Sequence, residues 1–386
     1  MATRLVLDPP DPGGKRILYD LTRLARAARR PFPTGVDRID LGLALALVDR
    51  RPGALQAVCS TPAGPSLPPG DPAAWLRALD RRWRGLAPRP ADVGPPDAAA
   101  LAAGRLRALA GGGRAVARPG TVYVNASHSG LPAEGGFAAL DPLGRMRRIF
   151  YLHDLIPLDY PEYQTPRSIA RFTRFLAGVA ARPVRLWVNS ETTAARLSAH
   201  ARDAGWPVES IVAVRPRLAP DIFATMPEPS PVLRALLEDP TPVFLTVGTI
   251  EPRKNHLLLL HLWRDFAARG MTARLIIAGR RGWENEMVVD LLERCPSLQE
   301  RVIEFGELSD GEIRLLIRRA RALLFPSFAE GLGLPLMEAA ALRTPVIASD
   351  LPACREAAGS DAVFLDPLDG AAWRREILAL SGDPER

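Results

Sequence analysis

From Pro242 onward, short apolar runs alternate with amphipathic stretches in a regular order. The runs are Val243–Val247, Arg274–Ala278, Val302–Phe305, Ala322–Phe325, Val346–Ala348 and Ala362–Leu365, and Gly, Pro or Ser punctuates their ends. Between them, Leu257–Ala268, Glu284–Arg294 and Gly311–Arg319 carry the spacing of helices, and Ser309 with Glu312 three residues on forms a capping-box pattern. Strands without polar alternation are buried on both faces, and their alternation with helices predicts a parallel α/β sheet.

The N-terminal half repeats this theme less regularly, with strands expected at Arg16–Tyr19, Leu55–Cys59, Thr121–Asn125, Arg148–Leu152, Arg185–Asn189 and Ile211–Val214. Pro227, Pro229, Pro231 and Pro240 interrupt any regular element, so the reading is two Rossmann-like domains, 1–226 and 227–386, with the last helix free to cross back to the first domain. The Pro-, Ala-, Gly- and Arg-rich stretch at about 61–120 reads as an irregular insertion. Within it Trp75, Leu79, Trp83 and Leu86 share one side of a helix while Arg77, Arg81 and Arg84 face elsewhere. Such a helix can lie on an anionic membrane surface, but a helix covering its own domain's core is the favoured reading.

A length of 386 residues exceeds one ordinary core, and 47% hydrophobic with 24% charged residues is a globular composition. No apolar run approaches the roughly 20 residues of a membrane-spanning helix, and Met1–Lys15 lacks a secretory apolar stretch. The expectation is a cytoplasmic protein, at most peripheral on the inner membrane face. Cys59, Cys295 and Cys354 are odd in number and show no metal-ligand spacing. A net charge of +7 points to anionic partners without choosing among phosphate compounds, acidic lipid and nucleic acid.

Two segments narrow that choice. In Phe325-Pro-Ser-Phe-Ala-Glu330-Gly-Leu-Gly-Leu-Pro335-Leu-Met-Glu338 a strand ends, a loop with Gly331, Leu332 and Gly333 follows, and a helix starts near Leu334 with Pro335 in its first turn. Exposed N–H groups and the helix dipole make such a start an anion site. Glu330 in the loop and Glu338 about one turn into the helix are acceptors suited to pairs of sugar hydroxyls. At the end of the domain's first strand, Gly248-Thr249-Ile-Glu-Pro-Arg253-Lys254 places two cations to neutralise a diphosphate.

Together these segments resemble the retaining glycosyltransferases of family 4, with the GT-B fold of two Rossmann-like domains facing across a cleft. The Glu330 to Glu338 spacing, and Thr344-Pro-Val-Ile-Ala-Ser-Asp350 followed by Arg355-Glu356 and Gly359, carry the likeness. It implies that Glu338 holds the ribose, Glu330 the transferred sugar, and Arg253 with Lys254 the diphosphate, with Gly248, Thr249 and Leu308 lining the donor. Many members carry an arginine where this chain has Thr249. More loosely, Pro33-Thr34-Gly35-Val36-Asp37-Arg38 is similar to the family's first glycine loop, placing Gly35 and Arg38 on the acceptor side. His153-Asp154 is similar to its sugar-contacting histidine and neighbour.

The implied reaction moves a sugar, with mannose favoured, from a nucleoside diphosphate to a glycan or lipid-linked hydroxyl in surface polysaccharide synthesis. With no Asp-x-Asp pair in the chain, neither metal nor other cofactor is expected, and nucleic acid is not among the expected partners. Two rivals remain at this stage: a sugar-nucleotide epimerase or hydrolase on the same architecture, and a basic membrane- or nucleic-acid-binding module.

Overall fold

The computed structural model describes residues 5–61, 64–68, 70–84, 119–130, 137–219 and 228–382. The chain divides into two compact units. One holds Tyr160–Thr165 together with the described residues from 228 onward, and the other holds the rest of the described chain. The short excursion at Tyr160–Thr165 is not legible in the hydrophobic pattern.

The second half forms a six-stranded, wholly parallel sheet from β10 (Val243–Val247), β11 (Arg274–Ala278), β12 (Val302–Phe305), β13 (Ala322–Phe325), β14 (Val346–Ser349) and β15 (Val363–Leu365). Successive side chains of a strand point to opposite faces. Phe244, Leu275 and Ile277 therefore pack with Leu259, Trp263 and Phe266 on one side, while Leu245, Ile276 and Leu323 pack with Leu316, Leu336 and Leu233 on the other. Cores on both faces explain why the runs show no polar alternation. The last helix, Gly370–Ser381, buries Trp373 and Ile377 in the first of these cores, so it stays with this unit instead of returning to the N-terminal half.

The strand order is β12-β11-β10-β13-β14-β15. Connections run one way from β10 and the other way from β13, which makes the carboxyl ends of these two neighbours the topological switch point, where open α/β sheets bind ligands. The loops after β10 and β13 carry the two chemistry-bearing segments.

The other unit is built on seven strands in the order β4-β3-β2-β5-β6-β7-β8, from β2 (Arg16–Asp20), β3 (Leu55–Thr61), β4 (Gly64–Ser66), β5 (Thr121–Asn125), β6 (Arg147–Leu152), β7 (Val184–Val188) and β8 (Val208–Ala213). All pairs are parallel except β3 with β4, a hairpin inside the expected insertion. Leu5–Val6 (β1) and Arg217–Leu218 (β9) form a separate antiparallel pair.

The tryptophan-bearing stretch is a helix, Pro72–Trp83, capped by Asp71. Leu76, Leu79 and Trp83 are buried in it, and it packs on β3 and the helix Gly35–Arg50. Most of its apolar stripe thus packs within its own domain, in keeping with the favoured reading; Leu86 and 85–118 lie outside the described residues. Among the described residues no helix is long and apolar enough to cross a membrane.

Candidate active site

At the switch point of the second sheet, the loop after β10 runs in extended form alongside the loop after β11, with Gly248 N–H donating to the Ala278 carbonyl at 3.0 Å and Ile250 N–H to the Arg280 carbonyl at 2.8 Å. It then closes in a single 3₁₀ turn, Pro252–Lys254, before Asn255 reverses the chain into the helix His256–Ala268. This turn projects Arg253 and Lys254 towards the loop after β13. Lys254 Nζ lies 2.6 Å from Glu330 Oε1, and Arg253 Nη1 lies 2.9 Å from the same oxygen. Arg253 also donates to the Ala329 carbonyl at 2.7 Å and to Glu251 Oε1 at 2.5 Å, and its own carbonyl accepts from Phe328 N–H at 2.9 Å. The two predicted segments meet at one carboxylate oxygen.

That pairing follows from burial. Glu330 keeps only 7% of its side-chain surface, and a carboxylate so enclosed needs compensating cations. Burial pushes its pKa up, but Arg253 and Lys254 overcome this and bring it down to about 2. For Lys254 burial prevails over the attraction of Glu330 and lowers the ammonium's pKa. The aliphatic end of Lys254 lies where a side chain on residue 248 would have to go, with Cε 3.2 Å from that position, and its Nζ sits 4.5 Å from the centre of the Phe325 ring. Gly248 therefore makes room for the lysine. The two cations expected to meet a diphosphate are already engaged, and together with Glu251 and Glu330 they form a balanced cluster.

Gly333, with φ of 94°, caps the helix Leu334–Ala341 without a side-chain partner. Glu338 is buried four residues after the first residue of that helix, Leu334 at its start and Leu332 in the loop before it are buried too, and Gly331 sits beside Glu330 in the loop. The Thr249 methyl faces Gly282, and Leu308 packs at the edge of the core that contains Leu316. Three neighbours escaped the sequence reading. Tyr163 stacks on Phe328 with centroids 5.6 Å apart and rings 11° from parallel, while Trp283 Nε1 donates to the Tyr163 carbonyl at 3.0 Å, bracing the Glu330 loop from outside. His256, buried, has no hydrogen-bond partner on either ring nitrogen among the described residues, and burial together with Lys254 lowers its pKa to about 3. A histidine directly after Arg-Lys-Asn was visible, but nothing in the pattern said that it turns inward.

In the N-terminal unit the corresponding switch point lies between β2 and β5. Asp20, ending β2, accepts from Tyr123 Oη at 2.6 Å and Asn125 Nδ2 at 3.1 Å, both on β5. His153 follows β6. Its Nε2 donates to the Ala126 carbonyl at 2.7 Å, which leaves Nδ1 buried with no partner among the described residues, and burial lowers its pKa to about 4. The ring is a neutral acceptor at physiological pH. Asp154 caps the turn that follows, accepting from Ile156 N–H at 3.1 Å. Ser190 is the N-cap of Glu191–Asp203, accepting from Thr193 N–H at 3.0 Å.

The segment read as a glycine loop is the first turn of the helix Gly35–Arg50. Thr34 is its N-cap, and the Thr34–Asp37 capping box is complete. Asp37 also pairs with Arg23 at 2.7 Å and Arg30 at 2.6 Å. Gly35 is thus the first helical residue, and Arg38 lies one turn in. The Thr-x-x-Asp spacing was a cap signature in plain sight. Arg23 and Asp37 are close enough to His153 to act on its charge, so this helix start and the β6 loop belong to one neighbourhood.

With this geometry in hand, the class of the C-terminal unit is plain: residues 234–386 match the family described as Glycosyl transferases group 1. Among curated proteins the chain is 32% identical over 241 residues to the serotype-specific mannosyltransferase WbdA of Escherichia coli, covering 60% of this chain and 30% of that protein. It is also 36% identical over 136 residues to the O-antigen chain mannosyltransferase B of Escherichia coli, 35% of each. The chain thus spans less than a third of the first of these relatives. The fold extends further than the sequence likeness. Anabaena Alr3699/HepE, solved in complex with UDP and glucose, superimposes with a TM-score of 0.61 over 96% of this chain and 90% of that one at 16% identity, a likeness of fold alone. Mixed α/β units with parallel sheets, as in GT-B enzymes, are thereby the architecture.

Proposed function

We propose that this protein is a retaining glycosyltransferase of family 4 that moves a hexose from a nucleoside diphosphate to a hydroxyl of a growing surface glycan. Mannose is the favoured sugar, because the two Escherichia coli relatives above are named mannosyltransferases. The observation that carries the reading is the Glu330 carboxylate held by both Lys254 and Arg253 at the switch point of a Rossmann-type sheet. In this reading the departing diphosphate takes over part of the charge of Arg253 and Lys254, assisted by the start of the helix at Leu334. Those cations supply what a divalent ion supplies in other transferases, so turnover is expected to need no metal. Glu330, kept ionised, accepts from hydroxyls of the transferred sugar, and Glu338 takes the ribose. His153, neutral with an Nδ1 that has no partner among the described residues, accepts from a sugar hydroxyl, and Gly35, Arg38 and Asp154 serve the acceptor.

Retention is proposed to proceed with the leaving phosphate oxygen taking the acceptor's proton on the same face of the sugar. Donors of this kind are cytosolic compounds, which places the reaction on the cytoplasmic side, with the acceptor a glycan or a lipid-linked oligosaccharide. The test is incubation with GDP-mannose or UDP-glucose in EDTA, with short mannosides as acceptors, and NMR of the anomeric proton in the product. An α-linked product from an α-linked donor is expected. Release of free sugar or epimerised nucleotide at full rate without acceptor would overturn the proposal in favour of a hydrolase or epimerase.

A further inference from the structure

His128 was singled out by no sequence motif, yet it holds the histidine on which the proposed function relies. We infer that His128 is a positioning residue for His153: a single loop, Asn125 to Gly130, clamps both the backbone and the ring of the imidazole that meets the transferred sugar. This rests on the glycosyltransferase reading above and assigns a residue to it.

The clamp has two jaws. One is the Ala126 carbonyl, which accepts from His153 Nε2 at 2.7 Å and so fixes the proton on that nitrogen. The other is the His128 ring, whose Nε2 accepts the His153 backbone N–H at 2.8 Å. A ring nitrogen that accepts must be bare, so His128 carries its proton on Nδ1. Burial, with the neighbouring His153, pushes its pKa well below the usual histidine range, and the ring stays neutral. An imidazole accepting a main-chain N–H is a rare replacement for a carbonyl. It places the two rings edge to face at 5.0 Å, with His128 also packed on Phe172 at 5.1 Å and Phe175 at 5.7 Å.

The loop is held in a conformation it would not adopt alone. His128 has φ of 50°, in the left-handed region that side chains other than glycine seldom occupy. Such backbone persists where its surroundings over-determine it. Here Asn125 does so, its Oδ1 accepting from Ser127 N–H at 3.0 Å and its Nδ2 donating to the Ser129 carbonyl at 2.7 Å, on either side of His128. Gly130 lies against Asp20, which in turn accepts from Asn125. The consequence is a neutral His153 whose Nδ1 is buried, bare and fixed in direction: an acceptor prepared for one hydroxyl.

The test compares His128→Phe, His128→Gln and His153→Ala with the unaltered protein. Phenylalanine keeps the ring among Phe172 and Phe175 but cannot accept, whereas glutamine restores an acceptor near the Nε2 position. With GDP-mannose as donor and methyl α-mannopyranoside as acceptor, His128→Phe is expected to lower kcat by about 10- to 100-fold, the scale of a displaced reacting group. GDP affinity by calorimetry should stay within about twofold, because His128 acts on orientation, not on charge. His128→Gln should recover most of the rate.

Nitrogen-15 NMR of the histidine rings supplies a readout independent of turnover. His153 Nδ1 should appear as unprotonated in the unaltered protein and lose that fixed signature in His128→Phe. A His128→Phe variant with normal kcat and unchanged His153 resonances, beside an inactive His153→Ala, overturns the clamp and leaves the enzyme reading standing. Full activity of His153→Ala instead overturns the proposed role of His153 in the reaction, and the NMR comparison then still decides whether His128 holds it.

Discussion

The two sheets present contrasting chemistry at their carboxyl ends. In the C-terminal unit, Glu251, Arg253, Lys254 and Glu330 form a nearly buried ionic cluster with contacts of 2.5 to 2.9 Å. In the N-terminal unit the contacts of the His153 ring and backbone are neutral, a second imidazole and the Ala126 carbonyl, with the Arg23–Asp37 pair in the surroundings. Charge suits a leaving group that becomes more anionic as it departs, while neutral acceptors select hydroxyl geometry without attracting water-borne ions. One fold used twice has been tuned in opposite electrostatic directions.

The largest effect is expected from breaking the ionic cluster. Lys254→Ala leaves Glu330 as a buried, half-compensated charge; a loss of about 3 to 5 kcal/mol of stability and of about 10²–10³-fold in kcat is expected. Adding Glu330→Leu to Lys254→Met should restore the thermal midpoint while leaving the protein inactive, separating folding from chemistry. Recovery of neither in the double variant would show that the cluster does not act as a unit.

Acid titration sharpens the contrast next. His153 titrates near 4 in the folded chain against about 6.5 unfolded, so the unfolded chain takes up the proton first. The stability linked to it is complete above pH 6.5 and lost as the pH falls towards 4, on the order of 3 kcal/mol. His256 imposes the same loss on the C-terminal unit down to about pH 3. Glu330, with its pKa lowered to about 2, contributes stability that is present above pH 4.5 and lost as the pH falls to about 2. His256→Leu should therefore leave the C-terminal unit acid-resistant to about pH 4.5 while the N-terminal unit still weakens from pH 6.5, read by hydrogen exchange of each unit. Parallel acid profiles in that variant would sink the assignment.

Smaller effects follow. A methyl group on residue 130 would sit 2.3 Å from Asp20 Oδ2 at a φ of 88°, so Gly130→Ala should cost about 1 to 3 kcal/mol and disturb the His128 loop, seen in histidine NMR. Trp283→Phe removes one hydrogen bond to the Tyr163 carbonyl and should lower stability by about 1 kcal/mol, with donor affinity little changed.

Much of the C-terminal unit was legible because its strands are buried on both faces. β10, β11, β12 and β13 begin and end at the residues the apolar runs predict, and Ser309 with Glu312 forms the capping box read from the letters. That Arg253, Lys254 and Glu330 stand in loops at strand ends was legible too, since a strand, a glycine loop and a helix start follow one another in the letters. Their mutual pairing was not: it depends on two loops 76 residues apart meeting at one oxygen, which strand order decides. In the N-terminal unit the resemblance to a family's glycine loop drew the eye from the Thr34–Asp37 cap, which starts the helix Gly35–Arg50. His128 was invisible for a stronger reason, because its place depends on a left-handed backbone that only the surrounding hydrogen bonds enforce.

The hexapeptide Tyr160–Thr165 has a practical consequence for anyone rearranging this gene. It belongs with the C-terminal unit through the Tyr163–Phe328 stack and the Trp283 bond, yet it is encoded inside the N-terminal one. A single crossover near residue 227 would bring in a foreign C-terminal unit without its matching aromatic brace, so productive chimaeras should be those that exchange both stretches together.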